Sequence, residues 1–155
     1  RKGKVLIDRE IEIPAGAIRV APIEESVNGT VFIQYSQWRG QTVRGIRMKF
    51  VNGKIVEIEV DDGMKNVFYE LRAAGEEAKM FREIAVGFNP LLSVPLDRAV
   101  IPYYGYGAGV VRVSIGDNSE LGGKVTGGYV RWNLLVNATL IVGDEVWIEN
   151  GRLKK

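Results

Sequence analysis

The sequence predicts an α+β, mostly β domain, built as an antiparallel, partly closed barrel-like sheet with one main helix. Three observations predict this class: many segments alternate apolar and polar residues, turn signals such as Asn-Gly and Gly-Asp separate them, and one stretch has helical periodicity. Several hairpins around one helix are typical of α+β domains. Because 155 residues suffice for one compact core, we expect a single domain over residues 1–155.

The first two-fifths of the chain is predicted to be β structure. Its strands are residues 5–13, 18–21, 30–38, 43–50 and 54–60. The clearest hairpin is at Asn52-Gly53, because Asn-Gly supplies the two positive φ angles of a type I′ turn.

After the hairpin the period changes from two to that of a helix. Asp61 and Asp62 are predicted to cap a helix over about residues 62–75, ended by Gly75. Its apolar stripe is Val67, Phe68, Leu71 and Ala74. Residues 89–109, rich in Pro and Gly, are predicted to form a long irregular segment. The remaining strands are residues 82–88, 110–115, 129–136, 139–142, 145–149 and 152–155.

The chain contains no histidine and no cysteine. It therefore has no imidazole base, thiolate nucleophile or soft metal ligand, and a serine triad is excluded. The absence of cysteine fits a reducing compartment, so we expect a cytoplasmic protein. The near balance of 21 basic and 19 acidic residues gives no reason to expect a nucleic-acid partner. No apolar run approaches the length of a membrane span, so we expect no membrane partner either. Sparse Gln and abundant charged residues are compatible with a thermophile.

Six segments share one motif order with a known family. They are residues 14–26, 51–56 (VNGKIV), 81–90 (FREIAVGFNP), 109–116 (GVVRVSIG), 122–124 (GGK) and 146–151 (VWIENG). In this order they resemble the C-terminal half of the aminopeptidase T family, the thermophilic metallo-aminopeptidases that include leucyl aminopeptidases. The resemblance implies two divalent metals, such as zinc or cobalt, that activate a water molecule for peptide hydrolysis. From the resemblance we expect no counterpart of the family's N-terminal α/β domain within these 155 residues.

The resemblance also implies where the metal ligands should be. The family's first ligand glutamate falls on Ala17, the second on Glu83, a histidine on Arg112, and a His-x-Asp pair on Arg131 and Asn133. Only Glu83 is retained, and guanidinium groups cannot act as ligands. We therefore expect a degenerate site with no metal cofactor, and we assign no catalytic residue.

One hypothesis follows for the replaced positions. Arg112 and Arg131 take the space of the metals and neutralise Glu83, because a buried, unpaired carboxylate is costly. In the alternative interpretation, both arginines are ordinary strand residues that point into solvent.

A glycine-rich loop over residues 116–128 offers a second candidate site. Its candidate ligand-binding residues are Asp117, Asn118, Ser119 and Lys124. The loop lacks P-loop spacing, so an ordinary hairpin loop is the competing interpretation. Asp117 and Glu120 could instead offer oxygens to a hard cation. Three tyrosines could line a ligand site or pack beneath the irregular segment: Tyr103, Tyr104 and Tyr106.

Three functions remain open. The first is an aminopeptidase T-like domain that has lost its metal site and serves as a binding or assembly module for a peptide or small-molecule ligand. The second is a metal-dependent aminopeptidase that completes its site with another chain. The third is a structural homo-oligomer, and a homodimer is the expected assembly.

Overall fold

The computed structural model describes residues 15–92 and 107–154. The predicted strand over residues 5–13, most of the irregular segment and the three tyrosines lie outside these residues. The described strands are β1 (Ala17–Val20), β2 (Gly29–Trp38), β3 (Gln41–Val51), β4 (Lys54–Asp62), β5 (Phe81–Gly87), β6 (Val111–Gly116), β7 (Val130–Leu135), β8 (Leu140–Val142), β9 (Glu145–Glu149) and β10 (Arg152–Leu153). The helix is α1 (Met64–Ala74). Short 3-10 turns are Glu24–Ser26, Glu77–Lys79, Pro90–Leu92 and Ser119–Leu121.

The strands form three antiparallel sheets, and the α+β, mostly β class is confirmed. The first sheet has the order β1-β5-β6-β7, the second β2-β3-β4, and the third β10-β9-β8. Among the described residues these sheets stay separate and form no closed barrel. The Asn52-Gly53 hairpin is confirmed, with φ angles of 48° and 79°.

The N-terminal end of α1 differs from the prediction, whereas its C-terminal end agrees with it. Asp61 and Asp62 belong to β4, and Gly63, with a φ of 90°, occupies the N-cap position without a side-chain cap. The predicted aspartate cap is therefore wrong. Gly75 does end the helix, and its N–H donates to the Leu71 carbonyl at 3.1 Å. None of the described helices is long and apolar enough to cross a bilayer.

The first sheet has two faces with different roles. Paired residues of antiparallel strands share a face, and successive residues alternate between faces. The core face packs against the second sheet through apolar side chains: Phe81, Val86, Val111, Val113 and Ile115. The opposite face, called here the Glu83 face, carries Ala17, Arg19, Glu83, Ala85, Arg112, Ser114, Val130, Trp132 and Leu134. This division decides which predicted site residues can meet.

Candidate functional site at the Glu83–Arg112 ion pair

Glu83 and Arg112 form an ion pair inside the protein. Glu83 lies on β5, and Arg112 lies on the neighbouring strand β6. Arg112 Nη2 donates to Glu83 Oε1 at 2.7 Å, and the two side chains are 1% and 0% exposed. Among the described residues, the other carboxylate oxygen, Glu83 Oε2, has no hydrogen-bond partner. The Glu83 carboxylate is thus held by a permanent cation.

An aromatic ring completes the contact around Arg112. Its guanidinium carbon lies 4.6 Å from the ring centroid of Trp132 on β7, within the range of a cation–π interaction. Glu83, Ser114 and Trp132 are direct cross-strand neighbours on three adjacent strands. The register of the sheet therefore places the carboxylate, the guanidinium and the indole side by side.

Arg131 lies on the core face, away from Glu83. Its Nη1 donates to Glu70 Oε1 of α1 at 2.5 Å, and its Nη2 donates to Ser36 Oγ at 3.1 Å and to the Gln37 carbonyl. The guanidinium carbon lies 3.4 Å from the ring centroid of Trp38. Arg131 therefore joins β7 to α1 and β2 and does not neutralise Glu83.

Tyr129 contributes to the same cluster on the core face. Its hydroxyl donates to Glu70 Oε1 at 2.9 Å. Burial, and next the hydrogen bond to Glu70, raise the pKa of Tyr129 well above its usual range. The hydroxyl consequently stays protonated and acts as a donor at every physiological pH.

The structure thus brings together only part of the predicted site. Ala17, Glu83 and Arg112 share the Glu83 face, whereas Arg131 and Asn133 lie on the core face. Asn133 is buried, and its Oδ1 lies 3.5 Å from Ser36 Oγ. The hypothesis that arginine neutralises Glu83 is confirmed for Arg112 and wrong for Arg131. The solvent-facing alternative is wrong for both arginines, since their side chains are 1% and 11% exposed.

The register also indicates which β7 residues neighbour the ion pair. Trp132 pairs with Ser114, and Leu134 pairs with Arg112, so both lie on the Glu83 face. Ligands that share one pair of metals must project from the same face of a sheet. If the family's His-x-Asp pair faces its glutamate, its positions correspond to Trp132 and Leu134. The alternation of faces along adjacent strands is the signal that could have identified Trp132 and Leu134 as neighbours of the ion pair.

The glycine-rich loop after β6 is organised by Asp117. Its Oδ1 accepts from the Ser119 hydroxyl at 2.6 Å and the Ser119 N–H at 2.9 Å, and its Oδ2 accepts from the Gly128 N–H at 2.9 Å. These donors, the Ser119 hydroxyl foremost, lower the pKa of Asp117 to about 2. Buried Arg82 donates to the Asp117 carbonyl at 3.2 Å and also pairs with Glu120.

A buried glutamate from another turn holds the rest of this loop. Glu24 Oε1 accepts from the Lys124 N–H at 2.8 Å and from Asn118 Nδ2 at 3.0 Å, and Asn118 Oδ1 accepts from the Val125 N–H at 2.9 Å. The hydrogen bond from the Lys124 N–H is the largest cause that lowers the pKa of Glu24. Several loop amides thus have internal partners, and a ligand at Asp117, Asn118, Ser119 and Lys124 stays a prediction.

Sequence reasoning missed several residues of these networks: Glu24, Glu70, Arg82 and Trp132. Glu70 lies 61 residues from Arg131 along the chain, and Glu24 lies 100 residues from Lys124. No local motif marks such partners. Only the fold brings them together.

The donor set does not fit a pair of divalent metals. In the part of the chain that the structure describes, no three Asp, Glu, His or Cys side chains are grouped so as to hold a metal ion. The whole chain has no histidine or cysteine to add. The Glu83 carboxylate is already bound to Arg112.

Fold and site together define a β-rich domain with a buried ion pair between Glu83 and Arg112. The family model described as thermophilic metalloprotease (M29) matches residues 7–94, and the chain belongs to this family. No curated protein sequence matches the chain.

Two solved structures share the fold. One is 2,5-dihydroxypyridine dioxygenase from Pseudomonas putida KT2440, with a TM-score of 0.72 and 18% identity over 90% of this chain and 44% of that chain. The other is wild-type AmpT from Thermus thermophilus, with a TM-score of 0.61 and 17% identity over 92% of this chain and 40% of that chain. The chain therefore spans less than half of the length of either structure.

Proposed function

We propose that this M29-family domain is a non-catalytic binding or assembly module in which an ion pair replaces the metal centre. The observation that carries the proposal is the buried contact between Glu83 and Arg112, at 2.7 Å. A guanidinium can neutralise the carboxylate, but it cannot bind a water molecule as a Lewis acid and lower its pKa.

The surroundings of the ion pair support the same proposal. The β7 residues on the Glu83 face carry no metal-ligating group: Val130, Trp132 and Leu134. Ala17, on the same face, has no donor atom either. A divalent ion placed at Glu83 would have to displace Arg112 and would gain a single ligand from these positions.

Metal binding and peptidase activity are the direct tests. The 155-residue chain is incubated with cobalt, zinc or manganese, and metal per chain is measured by elemental analysis after gel filtration. Hydrolysis of leucine and arginine amides is assayed in parallel. We expect no stoichiometric metal and no metal-dependent turnover.

The Glu83→Gln variant and a chelator make the assay decisive. Turnover abolished by both would refute the proposal, and metal retained only after mixing with a second chain would favour a hydrolase that borrows ligands. Glu149→Gln, on an exposed ion pair with Lys154, is the matched control for loss of one carboxylate.

We further propose that the module is a cytoplasmic homodimer. The absence of cysteine supports a reducing compartment. Among the described strands β1 is at the edge of its sheet, and its Ile18 and Val20 are about half exposed, which offers an apolar strand edge to a second copy. Light scattering should give twice the chain mass, and Ile18→Lys should give the monomer mass.

A further inference from the structure

Among the described strands, β4 has one open edge. It pairs with β3 on one side, and on the other side the described residues provide only one bridge, between Lys54 and Met80. Val56 is an extra residue in the β3–β4 register, so the regular part of the open edge is residues 57–62. Unpaired N–H and C=O groups along such an edge can pair with a strand from another chain.

An apolar groove runs beside this edge. It lies between β4 and α1, has a volume of about 570 Å³, and its apolar lining consists of Ile58, Met64, Val67, Phe68 and Leu71. Phe68 is 54% exposed and Met64 is 42% exposed, although both face this groove. Every second side chain of a strand added to β4 would point to the groove side.

The other face of the second sheet supplies charge. Glu57 pairs with Lys49, and Glu59 pairs with Arg47, so a basic row on β3 is followed by an acidic row on β4. The ion pairs are Lys49–Glu57 at 3.9 Å and Arg47–Asp61 at 2.9 Å. Opposite charges on neighbouring strands stabilise their pairing. A strand added at the open edge of β4 should therefore carry basic side chains on this face.

We propose that β4 is a docking site for an extended segment of a partner protein, in which Lys or Arg alternates with large apolar residues. The segment adds a strand along residues 57–62, its apolar side chains enter the groove beside Phe68, and its basic side chains lie next to Glu57 and Glu59. Backbone pairing and groove filling provide affinity, and the charges select the partner.

The same charges disfavour a second copy of this chain at β4. In an antiparallel pair of two β4 strands, every register that matches the faces puts acidic residues opposite acidic residues: Glu57, Glu59 and Asp61. Like charges directly opposite each other destabilise strand pairing. A basic partner segment avoids this repulsion.

The test uses a fluorescein-labelled, seven-residue peptide in which lysine alternates with valine and leucine. Its binding to the 155-residue chain is measured by fluorescence anisotropy at low salt. Amide hydrogen exchange of the complex then locates the contact. We expect saturable binding that weakens as salt rises, with new protection confined to residues 57–62 and the first turns of α1.

Two variants and one control test the two parts of the site. We expect Phe68→Glu and the double variant Glu57→Lys/Glu59→Lys each to weaken binding by about tenfold or more. Ile141→Glu alters an apolar residue of β8 that is 59% exposed and should leave binding unchanged. Circular dichroism establishes that each variant is folded.

Control peptides separate strand pairing from simple charge attraction. Two peptides are made, one N-methylated on its odd-numbered amides and one on its even-numbered amides. The peptide whose methylated amides would face β4 should not bind, whereas the other should bind. Equal binding of both N-methylated frames, equal binding of a glutamate-substituted peptide, or unchanged binding to Phe68→Glu would overturn the proposal. A dimer that Phe68→Glu dissociates in sedimentation would overturn it in favour of a second copy.

Discussion

At the residue scale, the buried charges at Glu83 and Arg112 depend on each other. Removing one partner leaves an uncompensated charge inside the protein, whereas replacing both with apolar residues removes the desolvation cost as well. We expect Arg112→Met to lower the free energy of unfolding by about 3–5 kcal/mol. The double variant Glu83→Leu/Arg112→Met should lie within about 1 kcal/mol of the parent or be more stable.

Urea unfolding of the two single variants and the double variant measures this coupling. Lys154→Met is the matched control, because its ion pair with Glu149 is about half exposed and should contribute less than about 1 kcal/mol. Additive single-variant effects would show that Glu83 and Arg112 do not stabilise each other.

Asp117 should make stability depend on pH. Its pKa is about 2 in the folded protein and has its usual, higher value of 3.8 when unfolded. A carboxyl whose pKa falls on folding stabilises the protein above the unfolded pKa, and this stabilisation is lost as the pH falls through the folded pKa. The parent should therefore exceed Asp117→Asn in stability at neutral pH, and the difference should shrink between about pH 4 and about pH 2. Thermal unfolding of both proteins across this pH range checks the prediction. A stability difference between them that does not change with pH would contradict it.

At the element scale, Glu70 attaches α1 to the rest of the molecule. Its carboxylate accepts from Tyr129, Arg131 and the Arg39 N–H, which lie on or beside β7 and in the β2–β3 turn. Glu70→Gln loses the charge and one acceptor, so we expect the free energy of unfolding to fall by about 1–3 kcal/mol. Amide hydrogen exchange should accelerate more in α1 than in β5 and β6. Glu77→Gln, an exposed residue beside α1, should change stability by less than about 0.5 kcal/mol. Uniform acceleration of exchange across all strands would contradict a local role for Glu70.

At the scale of the whole molecule, the fold followed from the sequence more closely than the site did. The Asn52-Gly53 hairpin was predictable because its two positive φ angles depend on two adjacent residues. The Glu83–Arg112 contact could be inferred from motif order, since both motifs belong to adjacent strands. The partner of Arg131 could not, because alternation along β7 assigns it to the core face only once the register with β6 is known. A one-residue difference in register exchanges the two faces.

The two faces of the first sheet lead to a prediction about building a metal centre at Glu83. A variant with Ala17→Glu, Arg112→His, Trp132→His and Leu134→Asp adds four ligands to the face that already carries Glu83. This variant should bind at least about one cobalt ion per chain, which is measured by visible absorbance. Its unfolding temperature should rise when cobalt is added, because a ligand that binds only the folded state stabilises that state. The matched variant keeps Ala17→Glu and Arg112→His but places the last pair at Arg131→His and Asn133→Asp.

In that matched variant the last two ligands point to Ser36 and Glu70 on the core face, so they cannot reach an ion held at Glu83. We expect it to bind cobalt much more weakly and to be destabilised by the loss of the Arg131–Glu70 contact. Tighter cobalt binding by the matched variant would show that the family ligands correspond to Arg131 and Asn133 after all. The comparison thus tests the alternation of faces, since both variants carry the same added ligand types and differ only in the face from which two of them project.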